Sequence, residues 1–137
     1  MFYSLIINTS LKDRVFLALY KNDRLVSKSI LKTKYKQAEK LLSGIERLFQ
    51  RARVCLKDLK GIIVVKGPGP FTALRIGIVT ANTLAFALGI PVIGIKTPEF
   101  NKLSESIKKR IKELKRIKKT KKEKIIIPFY GKEVIYL

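Results

Sequence analysis

Histidine is absent from these 137 residues and cysteine occurs once. Without histidine the chain lacks the commonest metal ligand, the usual general base near neutral pH, and any Ser-His or Cys-His nucleophile pair. The lone Cys55 can close no internal disulfide and build no thiolate zinc site. It reads as a small packed or partly exposed thiol, and the compartment expected is the reducing cytoplasm. Acid is scarce too: ten Asp and Glu face thirty Lys and Arg, a net charge of +20. The carboxylates are scattered, and none are paired in a motif that would hold two oxygens on one metal or substrate, so neither a catalytic residue nor a metal site is expected. No secretory signal is visible, because the start Met-Phe-Tyr-Ser-Leu-Ile-Ile-Asn has no basic n-region and its apolar run stops at Asn8 and Thr9.

What is present suits one domain. Apolar residues make up 47% of the chain, enough for a real core at this length, and the positive field favours a polyanion or an acidic protein partner. The uncharged stretch Ile76 to Ile95 reaches the length of a bilayer span. It contains Thr80, Asn82 and Thr83 and is cut by Gly89-Ile90-Pro91, so it reads as a buried helix followed by a buried strand, and no membrane partner is expected.

Strands are predicted at Tyr3 to Ile7, Val15 to Tyr20 and Leu25 to Leu31, an antiparallel meander turning at Lys21-Asn22-Asp23-Arg24. Ala38, Leu41, Leu42, Ile45, Leu48 and Phe49 recur at helical spacing and predict an amphipathic helix over 35–52. Gly61 to Val65 is short and β-branched, as for a strand buried on both faces, and Pro91 to Ile95 reads the same way. Between them lies a helix over Phe71 to Leu88 with Gly89 as its stop. The order βββαβαβ implies one mixed five-stranded α/β sheet with two crossover helices.

After Glu99 the composition shifts, and residues 102–124 hold twelve Lys or Arg against three Glu. Leu103, Ile107, Ile111, Leu114 and Ile117 keep a helical stripe there. A terminal hairpin is predicted over 125–137, turning near Gly131. Three segments follow from this reading: a lobe over 1–101, a basic helix over 102–124 and the hairpin. The lobe carries seventeen basic and six acidic residues, net +11, and the remainder thirteen and four, net +9.

The most specific segment is Lys66-Gly67-Pro68-Gly69-Pro70-Phe71-Thr72-Ala73-Leu74-Arg75-Ile76-Gly77, placed between a buried strand and a helix. Glycines permit a sharp turn there, and free helix N–H groups can meet an anion. It is not a P-loop: the GxxxxGK[ST] spacing fails, and two prolines remove donors. Two readings stand, a rigid strand-to-helix corner and a phosphate site. Arg75 either holds the loop or meets a phosphate or acidic partner residue.

Gly61 to Glu99, with Gly-Pro-Gly-Pro-Phe-Thr-Ala-Leu-Arg-Ile-Gly and then Leu-Ala-Phe-Ala-Leu-Gly-Ile-Pro-Val-Ile-Gly-Ile, closely resembles the TsaB (YeaZ) family. That family usually has Gly-Pro-Gly-Ser-Phe-Thr-Gly-Leu-Arg-Ile-Gly here. The opening Leu-Ile-Ile-Asn-Thr-Ser, the meander and the helix at 35–52 fall in the family's order, so the likeness covers about residues 1–100. Its signature residues in this chain are Gly67, Pro68, Gly69, Phe71, Thr72, Leu74, Arg75 and Gly77.

The resemblance implies the N-terminal lobe of an actin/Hsp70-like (ribonuclease H-like) fold, in a non-catalytic protein needed for threonylcarbamoyladenosine at position 37 of tRNA. It implies a heterodimer with the transferase TsaD through N-terminal-lobe helices, joined by TsaE and ATP, with no cofactor bound by this chain alone. The residues matching that surface are Ala38, Leu41, Leu42 and Ile45 on the first helix and Thr80 and Leu84 on the second. The sequence departs from the family at Asn8, where Asp is usual, at Pro70 and Ala73, and in retaining only thirty-six residues after Asn101.

The basic segment admits three accounts: a solvated face, a clamp on tRNA phosphates and a membrane-surface helix. Its stripe lacks aromatics, which argues against interfacial anchoring and base stacking. The candidate RNA contacts are Lys108, Lys109, Arg110 and Lys112, followed by Lys115, Arg116, Lys118 and Lys119. Two function classes follow, a pseudoenzyme subunit docked on TsaD or a small basic RNA-binding module; self-pairing of the helices as a homodimer is a third option.

Overall fold

The computed structural model describes residues 1–33, 37–117 and 126–127. Three strands open the chain, β1 (Tyr3–Asn8), β2 (Arg14–Lys21) and β3 (Arg24–Lys32). Asn22 takes up the positive φ of 55° that the tight turn between β2 and β3 needs, a conformation Asn tolerates better than most residues. Helix α1 (Gln37–Ala52) returns along the sheet, and a single 3-10 turn (Leu56–Asp58) leads into β4 (Leu59–Val65). Helix α2 (Phe71–Leu88) then crosses to β5 (Val92–Ile95). The mixed five-stranded sheet has the order β3-β2-β1-β4-β5. β1 pairs antiparallel with β2, Leu5 opposite Leu19, and parallel with β4, Leu5 opposite Ile62. β5 lies parallel to β4, with Ile62 opposite Val92.

The central strands read as unbroken apolar runs because both faces of the sheet are covered. On one face Leu5, Ile7, Leu17, Ile62 and Val64 meet Leu41, Ile45, Leu48 and Phe49 of α1 and Ile78, Ala81 and Ala85 of α2. On the other face Ile6, Ala18, Ile63, Val65, Ile93 and Ile95 meet Leu103, Ile107, Ile111 and Leu114. These last four belong to α4 (Leu103–Arg116), which follows a one-turn helix, α3 (Thr97–Phe100). The change in composition near residue 100 is therefore a change of surface, while the core continues through it.

Helix α2 is long and apolar enough to match a bilayer span, yet it is the crossover between two parallel strands, with Ile78, Ala81 and Ala85 in the core against the sheet and Leu74 fully buried. It stops where expected: Gly89 adopts φ 65°, ψ 37° and donates its N–H back to Ala85 and Phe86 carbonyls. β1 to β4 extend one or two residues beyond their expected limits, β5 begins one residue later than expected, at Val92, and α1 begins at Gln37. α3 and the 3-10 turn are too short to leave a periodic signal. Of the hairpin expected over 125–137 only Ile126 and Ile127 are described; the rest lies outside the described residues, as do Lys118 and Lys119.

Candidate functional site

The signature loop lies at the carboxyl ends of β1, β4 and β5. Its shape is held from α3: the Thr97 N–H donates to the Gly67 carbonyl at 2.9 Å and the Thr97 hydroxyl to the Pro68 carbonyl at 2.7 Å. Gly67 sits at φ 113° before a cis peptide bond to Pro68. A Cβ on Gly69 would stand 2.8 Å from Ser10 Cα, and one on Gly77 2.2 Å from Thr9 Oγ1. These glycines let the loop and the first turns of α2 close directly onto the residues that leave β1. Asn8, fully buried, accepts from the Ser10 N–H at 2.8 Å, while its Nδ2 and Thr9 Oγ1 have no partner among the described residues.

Gly67, Leu74 and Gly77 are buried, whereas Pro68, Gly69, Phe71, Thr72 and Arg75 face solvent. The Arg75 guanidinium stacks over the Phe71 ring, 5.4 Å from its centroid, so it braces its own helix by a cation–π contact. That role lay outside both readings made from the sequence. Packing accounts for the glycines in the manner of a rigid corner.

A second feature lies on the outer side of α1 and α2, which run side by side over one face of the sheet. Between them is an apolar groove of about 740 Å³. Leu42 and Val79 line it, each 61% exposed, and Ile45, Phe49, Val54 and Leu56 continue its lining. A monomer's surface is rarely this apolar in one contiguous place.

The six residues matched to a partner surface fall into different environments. Leu42 is exposed and Leu84 half-buried, both in the groove, and Ala38 is exposed at the start of α1. Leu41 is fully buried and Ile45 95% so, because α1 needs both to hold the sheet; only an edge of Ile45 reaches the groove. Leu41 is thus corrected from a contact to a core residue. Thr80 lines the groove while its hydroxyl is bonded to the Ile76 carbonyl at 2.7 Å. Sequence reasoning missed Val79, Phe49, Val54 and Leu56. Val79 had a legible signal: a helix that stays apolar on its outward side asks for a cover.

Helix α4 presents Lys108, Lys109, Lys112, Lys115 and Arg116 to solvent. Lys108 lies 3.6 Å from Asp23, and Lys115 stacks over Phe2 at 5.5 Å. Arg110 is different. Its guanidinium grips Glu99 with two hydrogen bonds, one from Nε at 2.6 Å, and reaches Glu113 at 2.7 Å. The bond from Arg110 holds the Glu99 carboxyl below its ordinary value and keeps the guanidinium protonated. Of the candidate RNA contacts, Arg110 is therefore engaged in a structural clamp. Among the described residues no group of His, Cys, Asp or Glu is placed to hold a metal ion.

With this geometry in place, the profile of the family described as TsaD, tRNA N6-adenosine threonylcarbamoyltransferase, matches residues 31–116. The chain belongs to the TsaD family. Within it the resemblance runs to TsaB: the chain is 39% identical over 93 residues to the tRNA threonylcarbamoyladenosine biosynthesis protein TsaB of Buchnera aphidicola subsp. Schizaphis graminum, which covers 68% of this chain and 43% of that protein. It is 40% identical over 76 residues to the tRNA N6-adenosine threonylcarbamoyltransferase of Geotalea uraniireducens, covering 56% of this chain and 22% of that one. Among solved structures, YeaZ from Pseudomonas aeruginosa superposes with a TM-score of 0.63 at 31% identity over 70% of this chain and 43% of that chain. Thermus thermophilus RuvC, at 13% identity and a TM-score of 0.51 over 74% of this chain and 69% of that one, shares the fold alone. The fold is the ribonuclease H-like lobe expected of a TsaD-family protein, and the chain spans less than half the length of the TsaB and TsaD relatives it matches. The TsaB relatives are themselves named for threonylcarbamoyladenosine biosynthesis on tRNA.

Proposed function

We propose that this chain is a non-catalytic subunit of the machinery that makes threonylcarbamoyladenosine on tRNA, and that it acts by docking the groove between α1 and α2 onto the transferase TsaD. The observation that carries this reading is the groove itself, in which Leu42 and Val79 stand 61% exposed beside Leu84. Burying such a surface against a helical face of a sibling lobe would be driven mainly by the hydrophobic effect. In this reading TsaE and ATP belong to the partner assembly, and the chain holds no nucleotide alone. A subunit that supplies surface rather than chemistry is also consistent with the absence of histidine.

Co-purification with the TsaD of the same organism tests it. The complex is expected to persist at about 1 M salt, where exposed ion pairs are screened within about 3 Å. Leu42→Arg or Val79→Arg, each placing a charge in the groove, is expected to weaken it at least tenfold without unfolding the lobe, and to lower modified adenosine in a strain that depends on this chain. A complex indifferent to both substitutions rejects the groove, and a wild-type chain that forms only homodimers by light scattering rejects the heterodimer.

A further inference from the structure

The aliphatic stripe of α4 is spent on the sheet. Leu103, Ile107, Ile111 and Leu114 are each at least 92% buried against the core, which fixes how the helix is rotated. The opposite side is left to cations, with Lys109, Lys112 and Arg116 exposed at spacings of three and four, so that they line up along one face over about 10 Å. Glu105, at the amino-terminal end, is the acid exposed on this side, and Glu113 is taken by Arg110. Lys108 and Lys115 flank the row.

From this arrangement we infer that the outward face of α4 binds the phosphodiester backbone of a nucleic acid. An anionic membrane would attract the same charges, but a helix holds a bilayer surface with apolar side chains on its lipid face, and those of α4 are under the helix, in the core. Leu103–Arg116 itself contributes no aromatic ring on which a base could stack, so what the helix can read is backbone charge and shape. The choice of RNA rather than DNA as the source of that backbone rests on the function proposed above. The face lies across the sheet from the α1–α2 groove, so it can be occupied while a protein partner fills the groove.

Fluorescence anisotropy on the full chain tests this with three probes: a labelled tRNA transcript, a DNA hairpin, and vesicles of phosphatidylcholine with phosphatidylserine. The variant Lys109→Glu/Lys112→Glu/Arg116→Glu is expected to bind the transcript at least tenfold more weakly. Its log–log salt dependence should be shallower by about 2 to 3, as for three lost phosphate contacts at about 0.7 to 0.9 each. The control Lys12→Glu/Arg47→Glu/Lys57→Glu makes the same change in net charge at exposed positions away from α4 and is expected to retain most of the affinity. The neutral variant Lys109→Gln/Lys112→Gln/Arg116→Gln repeats the measurement should charge reversal disturb folding. Equal losses in the α4 variant and the control would overturn the inference in favour of the overall field, and so would binding to vesicles but not to either nucleic acid. DNA bound as tightly as the transcript upholds the backbone site and removes its assignment to RNA. Leu42→Arg should leave transcript binding unchanged, which separates failure of this site from failure of the groove.

Discussion

Thr9 and Gly77 show why a single methyl matters at the loop. The Cβ that alanine would add at Gly77 stands 2.2 Å from Thr9 Oγ1 and 2.7 Å from its Cγ2, and Thr9 is itself 1% exposed with no room to turn away. Gly77→Ala is expected to destabilise the fold by about 1–3 kcal/mol through overpacking, read as a lowered midpoint in urea. Gly89→Ala provides a contrast of a different origin, because its Cβ meets nothing within 4 Å and only the positive φ of 65° opposes it, at about 1 kcal/mol. If Gly77→Ala is as stable as the parent, the close approach of α2 to β1 is not a structural requirement.

At the scale of elements, α3 and α4 are locked by Glu99 and Arg110, whose side chains are 26% and 23% exposed. The hydrogen bond from Arg110 is the main cause that lowers the Glu99 pKa from 4.5. A carboxyl whose folded value lies below its unfolded one stabilises the fold above the unfolded pKa, and that contribution is lost as pH falls through the folded value. The parent is therefore expected to exceed Glu99→Gln by about 1 kcal/mol at pH 7. The gap should start to close below the ordinary Glu value of 4.5 and vanish in stronger acid. Thermal melts of both proteins across that range check this, and a gap that is constant with pH would mean the clamp contributes through packing alone.

For the whole molecule, the sheet separates two surfaces of opposite chemistry: the apolar groove above one core and the cationic row above the other. Sites without shared contacts combine additively. Size-exclusion chromatography of the chain with TsaD and a tRNA transcript is therefore expected to give one ternary peak. Leu42→Arg should remove TsaD from it and the α4 charge reversal should reduce the RNA, each without the other's effect. Mutual exclusion of the two partners would show that one surface serves both.

Much of this lobe was legible in order along the chain. β-branched runs at Ile62–Val65, helical spacing from Leu41 to Phe49 and the Gly89 stop are local signals, since strand, helix and cap depend on neighbours a few residues away. The signature from Gly67 to Gly77 located the sharp corner, and with it the family, for the same reason. Three things were settled only in tertiary structure. Leu41 and Leu42 have the same chemistry and adjacent places in one stripe, and only the sheet beneath α1 sends the first inside and leaves the second in the groove. Arg110 looks like Lys109 in sequence until α3 brings Glu99 to it across eleven residues. The stripe of α4 read as part of a segment separate from the lobe, with a solvated face, an RNA clamp and a membrane-surface helix as its accounts, until the bare face of the sheet took it into the core. Periodicity determines that an apolar face exists; which surface covers it depends on contacts between residues far apart in the chain, and those form only when the sheet assembles.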